Sequence, residues 1–109
     1  MKDSIKKTRE YQKVYKRGKS FANKYLVMYI LKNERTENRL GISVSKKVGN
    51  SVVRHRLTRL IREGYRLNKD LFIKGIDIVI VARTGAKDID YSKVENALLH
   101  LGRLHKILN

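Results

Sequence analysis

The side chains with the clearest capacity for chemistry lie between Lys46 and Arg62, where a short loop leads into a helical pattern rich in arginine. Gly49 and Asn50 end the preceding strand pattern, and Asn50 or Ser51 can cap the helix that follows. The first N–H groups of a helix lack partners within it, and the positive end of the helix dipole lies there, so an anion is favoured. The segment therefore predicts a site for phosphate groups.

The helical pattern divides into an apolar face and a cationic face at about 100° per residue. The apolar face is predicted to contain Val53, Leu57, Leu60, Ile61, Gly64 and, at its margin, Tyr65. The opposite face contains His55, Arg56, Arg59, Arg62 and Arg66, with Arg54 near the boundary. A solvated arginine face is the simplest interpretation, but Glu63 is the only acid between Val52 and Leu67. The scarcity of carboxylates favours a bound polyanion.

Composition supports the same class of partner. The 109 residues, 41% of them apolar, predict one small domain spanning residues 1–109 with a single core. The 26 Lys and Arg against 10 Asp and Glu give a net charge of +16, which indicates a polyanionic partner and above all a nucleic acid.

Membranes and secretion are not indicated. No apolar run approaches the roughly 18–20 residues that span a bilayer, and no signal-peptide pattern opens the chain, so we expect a cytoplasmic protein without a membrane partner. The absence of cysteine excludes disulfides and thiolate metal sites.

The elements that must position the cationic segment follow an α-β-β-α-β-α order. We predict helices over residues 8–17, 51–68 and 91–108, and strands over residues 25–32, 40–44 and 76–82. This order predicts an α+β fold, a two-layer sandwich with the helices mainly on one face of the sheet. The first two strands should form an antiparallel hairpin, and the arginine helix could connect a parallel crossover.

Tyrosines supply a second chemical feature. Tyr11 and Tyr15 lie on the first helix, and Tyr25 and Tyr29 lie on the first strand. They could cap the core with their hydroxyls in water. Alternatively, phenol rings beside a basic surface could stack on the bases of single-stranded RNA.

Catalytic motifs are not evident. His55, His100 and His105 have no spacing suited to a metal site, and Asp88 and Asp90 fit a turn. We therefore predict no catalytic residue and no metal ligand in this chain.

Several motifs together carry a family resemblance. The run from Ser43 to Asn50, followed by Arg54-His55-Arg56 and by Arg59-Leu60-Ile61-Arg62, closely resembles the signature of the bacterial ribonuclease P protein component. The segment from Tyr11 to Gly18 and the pair Ala22-Asn23 also resemble this family in order and spacing. The resemblance covers nearly the whole chain.

The resemblance implies a basic subunit that assists a catalytic RNA in removing the 5′ leader of precursor tRNA. Hydrolysis would be metal-dependent and performed by the RNA, with Mg²⁺ bound mainly through RNA and one protein per RNA. It also implies a left-handed β-α-β crossover, against the usual right-handed preference. The implied contacts with the catalytic RNA are Lys46, Lys47, Asn50, Arg54, His55, Arg56, Arg59 and Arg62. The implied leader-binding residues are Tyr11, Tyr15 and Tyr29.

Two positions depart from the family pattern, which usually has Asn at the position of His55 and often a basic residue at that of Thr58.

Two other functions remain open on charge alone. One is a ribosomal or structured-RNA-binding protein, and the other is a DNA-binding protein that reads the major groove with the arginine helix.

Overall fold

A computed structural model describes residues 3–109 of the chain. Its order is α-β-β-β-α-β-α, one strand more than predicted. The helices are α1 (Thr8–Arg17), α2 (Ser51–Asn68) and α3 (Tyr91–Leu104). The strands are β1 (Lys19–Ala22), β2 (Leu26–Lys32), β3 (Arg39–Ser43) and β4 (Ile76–Ala82). Short 3₁₀ turns occupy Lys69–Leu71 and Thr84–Ala86.

The four strands form one sheet in the order β1-β2-β4-β3. β2 pairs with β1 and with β4 in antiparallel fashion, whereas β3 and β4 are parallel and connected through α2. The parallel crossover is therefore present, and its left-handed sense stays a prediction. The predicted hairpin between β2 and β3 is wrong, because β4 lies between them. β4 is apolar on both faces and almost wholly buried, so it occupies an interior position with a neighbour on each side.

The additional strand β1 had little signal in the sequence. Three of its four residues are exposed, and Phe21 is its only large apolar side chain. A short edge strand of this kind is defined by its pairing with β2 rather than by its own pattern. The turn Asn23-Lys24-Tyr25 joins β1 to β2 in a hairpin that was not predicted.

The main core lies between the sheet and the pair α2 and α3. It contains Phe72 and the buried side chains of both helices and of β2 and β4, including Met28, Leu57, Ile80 and Leu98. α1 covers part of the other face of the sheet, where Val14 packs on Val79 in a smaller cluster. The α+β class and the placement of most helices on one face are thus confirmed.

The helix bounds agree closely with the sequence pattern, except at the end of α3. α3 ends at Leu104 rather than Leu108, and Lys106 has a φ of 59° in the left-handed region that ends helices. The chain then turns back so that Leu108 bridges to Phe72. Within residues 3–109, no helix combines the length and the apolar character needed to cross a membrane.

Candidate nucleic-acid interface

The loop before α2 presents two lysines beside a capped helix end. The Asn50 side chain accepts a hydrogen bond from the Val53 N–H at 3.0 Å, which caps α2 as predicted. Val48 anchors the loop in the core and leaves Lys46 and Lys47 exposed. A Cβ on Gly49 would lie 2.7 Å from the Val53 side chain, so this position needs a residue without a side chain. The lysines therefore stand next to the positive end of α2.

The cationic face of α2 forms one wall of an open groove of about 610 Å³. β3 and the residue that follows it form the other wall, which is apolar. The Arg54 guanidinium donates to the Gly49 carbonyl at 3.1 Å, and the Thr58 hydroxyl donates to the Arg54 carbonyl at 2.9 Å. The first bond holds the Arg54 side chain toward the loop, and the second lies within α2 and satisfies the Thr58 hydroxyl. The groove is lined by Ile42, Val44, Arg54, His55, Thr58, Arg59 and Arg62.

Arg56 lies apart from this groove. Its guanidinium donates to the Ile89 carbonyl at 2.7 Å and lines a smaller depression with Ser51 and Val52. His55 and Arg59 border both the groove and this depression. The predicted contact residues thus form one continuous surface, on which Arg56 also has a structural bond that the sequence did not reveal.

Ion pairs with carboxylates within residues 3–109 do not neutralise the cationic surface of α2. In the described part of the chain, the carboxylate ion pairs involve only Arg39, with Glu10 and Asp77, and Arg66, with Glu63. Arg66 is therefore set apart from the other arginines of α2. Four other arginines of α2 have no carboxylate partner within residues 3–109 and remain available to an anion: Arg54, Arg56, Arg59 and Arg62.

The three predicted leader-binding tyrosines come together on the opposite face of the sheet. The Tyr15 ring packs edge-on against Tyr29 at a centroid distance of 4.9 Å, and Tyr11 lies 6.3 Å from Tyr15. Tyr11 also accepts a hydrogen bond from the Ile42 N–H at 3.2 Å, and its ring covers Gly41 so closely that a Cβ there would clash. Tyr11 therefore also docks α1 on β3, whereas Tyr15 is 37% exposed.

Tyr15 is suited to stacking because it stays neutral. Burial raises the pKa of Tyr15, although a hydrogen bond with Ser43 opposes the increase. A phenol is uncharged near neutral pH even at its ordinary pKa, so the ring does not repel phosphates.

The outer face of α1 adds a second basic surface, which sequence reasoning missed. It forms an open depression of about 470 Å³ lined by Arg9, Gln12, Lys13, Lys16 and Arg17. The spacing of Lys13, Lys16 and Arg17 at i, i+3 and i+4 was the available signal. These cations lie on the same helix as Tyr11 and Tyr15 and add to the attraction of a polyanion toward the tyrosines.

The two surfaces flank the same edge strand. Ile42 in β3 lines the arginine groove, and its backbone N–H bonds to Tyr11 on the other face of the sheet. β3 is the last strand of the sheet, and residues 3–5 bond to Leu40 along its outer edge, so the two surfaces adjoin beyond that contact, near Ile42. Among residues 3–109, no group of three or more His, Cys, Asp or Glu is arranged to hold a metal ion.

A comparison with protein families decides the identity of the chain. The sequence model of a family described as Ribonuclease P matches residues 1–106. The chain belongs to this family. It is 63% identical to the ribonuclease P protein component of Lachnoclostridium phytofermentans over 109 residues, which cover 100% of this chain and 94% of that protein. It is 51% identical to that of Clostridium botulinum strain 657 over 108 residues, 98% of this chain and 97% of that one.

Solved structures agree with the sequence comparison. The RNase P protein of Staphylococcus aureus superposes with a TM-score of 0.90 at 41% identity and covers 98% of each chain. The RNase P protein of Thermotoga maritima has a TM-score of 0.85 at 35% identity and covers 92% of this chain and 96% of its own. Family membership makes this chain a protein subunit of ribonuclease P, a ribonucleoprotein endoribonuclease with an RNA partner. It favours this function over the ribosomal and DNA-binding alternatives.

Proposed function

We propose that this chain binds the catalytic RNA through the α2 surface, which is the cationic face of α2 together with the loop before it. It binds the single-stranded 5′ leader of precursor tRNA through the tyrosine cleft, which is formed by Tyr11, Tyr15 and Tyr29. The observation that carries the proposal is the placement of two chemically different surfaces on either side of β3. One is cationic and suits phosphates. The other is aromatic and suits unpaired bases.

The α2 surface has the properties of a phosphate-binding interface. It combines the exposed Lys46 and Lys47, the capped N-terminus of α2 and arginines that have no carboxylate partner within residues 3–109. Arginine suits this role because its planar guanidinium presents several donors to phosphate oxygens. The contact set is Lys46, Lys47, Asn50, Arg54, His55, Arg56, Arg59 and Arg62.

The tyrosine cleft has the properties of a single-strand site. Aromatic rings stack on any base, which fits a leader whose sequence varies among precursors. Tyr15 and Tyr29 form the edge-on pair, and Tyr11 holds α1 against β3. The cations on the outer face of α1 attract the backbone of the same strand.

In this proposal the protein positions RNA and the catalytic RNA performs the hydrolysis, as the family resemblance implies. The α2 surface and the tyrosine cleft consist of cations, amides and phenols, which are groups suited to binding RNA. Mg²⁺ would be held mainly through RNA, with one protein per catalytic RNA in the cytoplasm.

The decisive experiment is processing of a precursor tRNA by a bacterial ribonuclease P RNA at low Mg²⁺, with and without this protein. We expect strong stimulation with cleavage at the mature 5′ end, because the cationic protein offsets the repulsion between two polyanions. If a folded protein that binds both RNAs gave no stimulation, the proposed function would be wrong, and structured-RNA binding would be favoured.

Tyr15→Ala tests the tyrosine cleft. We expect it to weaken binding of leader-bearing precursor tRNA about tenfold, since stacking on one base contributes about 1–3 kcal/mol. Binding of mature tRNA should not change, because it offers no leader. Tyr15→Phe is the matched control and should keep most of the affinity. An equal loss for both tRNAs with Tyr15→Ala would exclude the cleft as the leader site.

A further inference from the structure

A third surface lies where the β1–β2 turn meets α3, away from the arginine groove and the tyrosine cleft. It is an open groove of about 340 Å³ with mainly apolar walls. Its lining residues are Asn23, Lys24, Tyr25, Lys93, Asn96 and His100, together with Ala97.

Asn23 organises this groove through four hydrogen bonds. Its side-chain oxygen accepts from the backbone N–H groups of Tyr25 and Leu26 at 3.1 and 3.0 Å. These bonds fix the orientation of the amide, so its nitrogen must donate, and it lies 3.0 Å from the Ala97 carbonyl and 3.1 Å from His100 Nδ1. Asn23 thus ties the β1–β2 turn to α3.

The same bonds determine how His100 can act. Because the Asn23 amide donates to Nδ1 of His100, the proton of the neutral imidazole lies on Nε2. His100, an exposed residue, therefore presents an N–H donor at Nε2. The neighbouring Asn96 amide, also exposed, supplies both a donor and an acceptor.

The groove combines an aromatic ring with positive charge. The Lys24 ammonium lies 5.5 Å from the centroid of the Tyr25 ring, and Lys93 is exposed on the first turn of α3. In the part of the chain that the structure describes, neither lysine forms an ion pair with a carboxylate. Arg83 donates to the Asn23 carbonyl at 2.8 Å and adds a third cation beside the turn.

The sheet places this groove at the same end as the loop after β3, where the α2 surface begins. Ala22 is in register with Val27, Val27 with Val81, and Val81 with Ser43. The β1–β2 turn and the loop after β3 therefore leave the sheet at one end, separated by three strand spacings, or about 14 Å. A few nucleotides of one RNA can span this distance.

We propose that this groove binds one unpaired nucleotide of RNA, with its base on Tyr25 and its phosphate between Lys24 and Lys93. The proposal rests on the function proposed above and extends the RNA surface to the other edge of the sheet. A nucleotide matches all the features of the groove, since it joins a planar base to an anion. The base offers acceptors to the N–H of His100 and hydrogen-bonding edges to Asn96.

Photocrosslinking with a pentauridylate that contains 4-thiouridine tests this site directly. The test variant is Lys93→Glu, which replaces an exposed side chain in the first turn of α3, where a negative charge suits the helix dipole and should not impair folding. The matched control is Lys74→Glu, which makes the same charge change at an exposed residue before β4, at the other end of the sheet. Affinity for ribonuclease P RNA is measured for all three proteins.

We expect crosslinks in the peptide that contains Tyr25 or in the peptide that contains His100. Lys93→Glu should abolish these crosslinks and weaken binding of ribonuclease P RNA about fivefold, whereas Lys74→Glu should have a smaller effect on both. Crosslinks confined to Tyr11, Tyr15 or Tyr29, with equal affinities for the two variants, would overturn the nucleotide site while the proposed function stands. If the wild-type protein bound neither ribonuclease P RNA nor pentauridylate, the proposed function itself would be overturned.

Discussion

Replacing Arg59 and Arg62 together by alanine will weaken binding of ribonuclease P RNA about 25- to 60-fold at 0.1 M salt, compared with affinities that converge near 1 M. Each phosphate contact contributes about 0.7–0.9 to the slope of log affinity against log salt, so two lost contacts remove about 1.4–1.8 from the slope. Both side chains are exposed and line the α2 groove, and neither has a carboxylate partner among residues 3–109. The loss should therefore come from binding and leave stability almost unchanged.

The measurement is a series of RNA-binding titrations from about 0.1 to 0.5 M salt, with thermal unfolding of each variant as the control for folding. Arg66→Ala is the matched control, because Arg66 lies on the same helix but is paired with Glu63. It should change the salt slope little. Arg56→Ala is a less suitable probe, since it also removes the bond to the Ile89 carbonyl. An unchanged slope in the double variant would remove Arg59 and Arg62 from the interface.

Replacing Arg39 by methionine will destabilise the protein by about 3–5 kcal/mol, a large part of the stability of a small domain. Arg39 makes two bonds to Asp77, at 2.9 and 2.7 Å, and a third to Glu10. The Asp77 side chain is only 5% exposed, so the variant would leave a buried carboxylate without its cation. Methionine keeps most of the apolar volume, which confines the change to the lost charge.

The same substitution will loosen the attachment of α1 to the sheet. Glu10 lies on α1, Arg39 on β3 and Asp77 on β4, so the three charges connect three elements. Urea unfolding measures the loss of stability. The control is Arg66→Met, which breaks a solvent-exposed pair and should have a far smaller effect on stability. Equal losses for the two variants would show that the buried network contributes no more than a surface pair.

Acid provides an independent readout of this network. Burial would raise the pKa of Asp77, but hydrogen bonds from Arg39 and Asn33 outweigh that effect and lower it. The pKa of Glu10 is also lowered, chiefly by its hydrogen bond with Arg39. Their stabilisation is therefore present above about pH 4.5 and decreases as both carboxylates are protonated below it. The difference in stability between wild type and Arg39→Met should shrink between pH 5 and 3, and a constant difference would contradict the assignment.

Sequence alone determined the elements whose signals are local. The bounds of α2, its Asn50 cap and the division into a core face and a cationic face all follow from residue types at helical spacing. Helical spacing also places Tyr11 and Tyr15 one turn apart on α1, whereas their approach to Tyr29 depends on the packing of α1 against β2. Net charge and motif order were sufficient to indicate the family.

The meeting of distant segments could be seen only in the folded chain. The fold placed β4 between β2 and β3, added β1, and showed that Arg39 is committed to Asp77, 38 residues away. It also joined Asn23 to His100 across 77 residues, which created a groove that neither segment indicates by itself. Such pairings depend on the packing of the whole sheet against its helices. The local pattern at each partner is compatible with several neighbours, so only the folded chain selects among them.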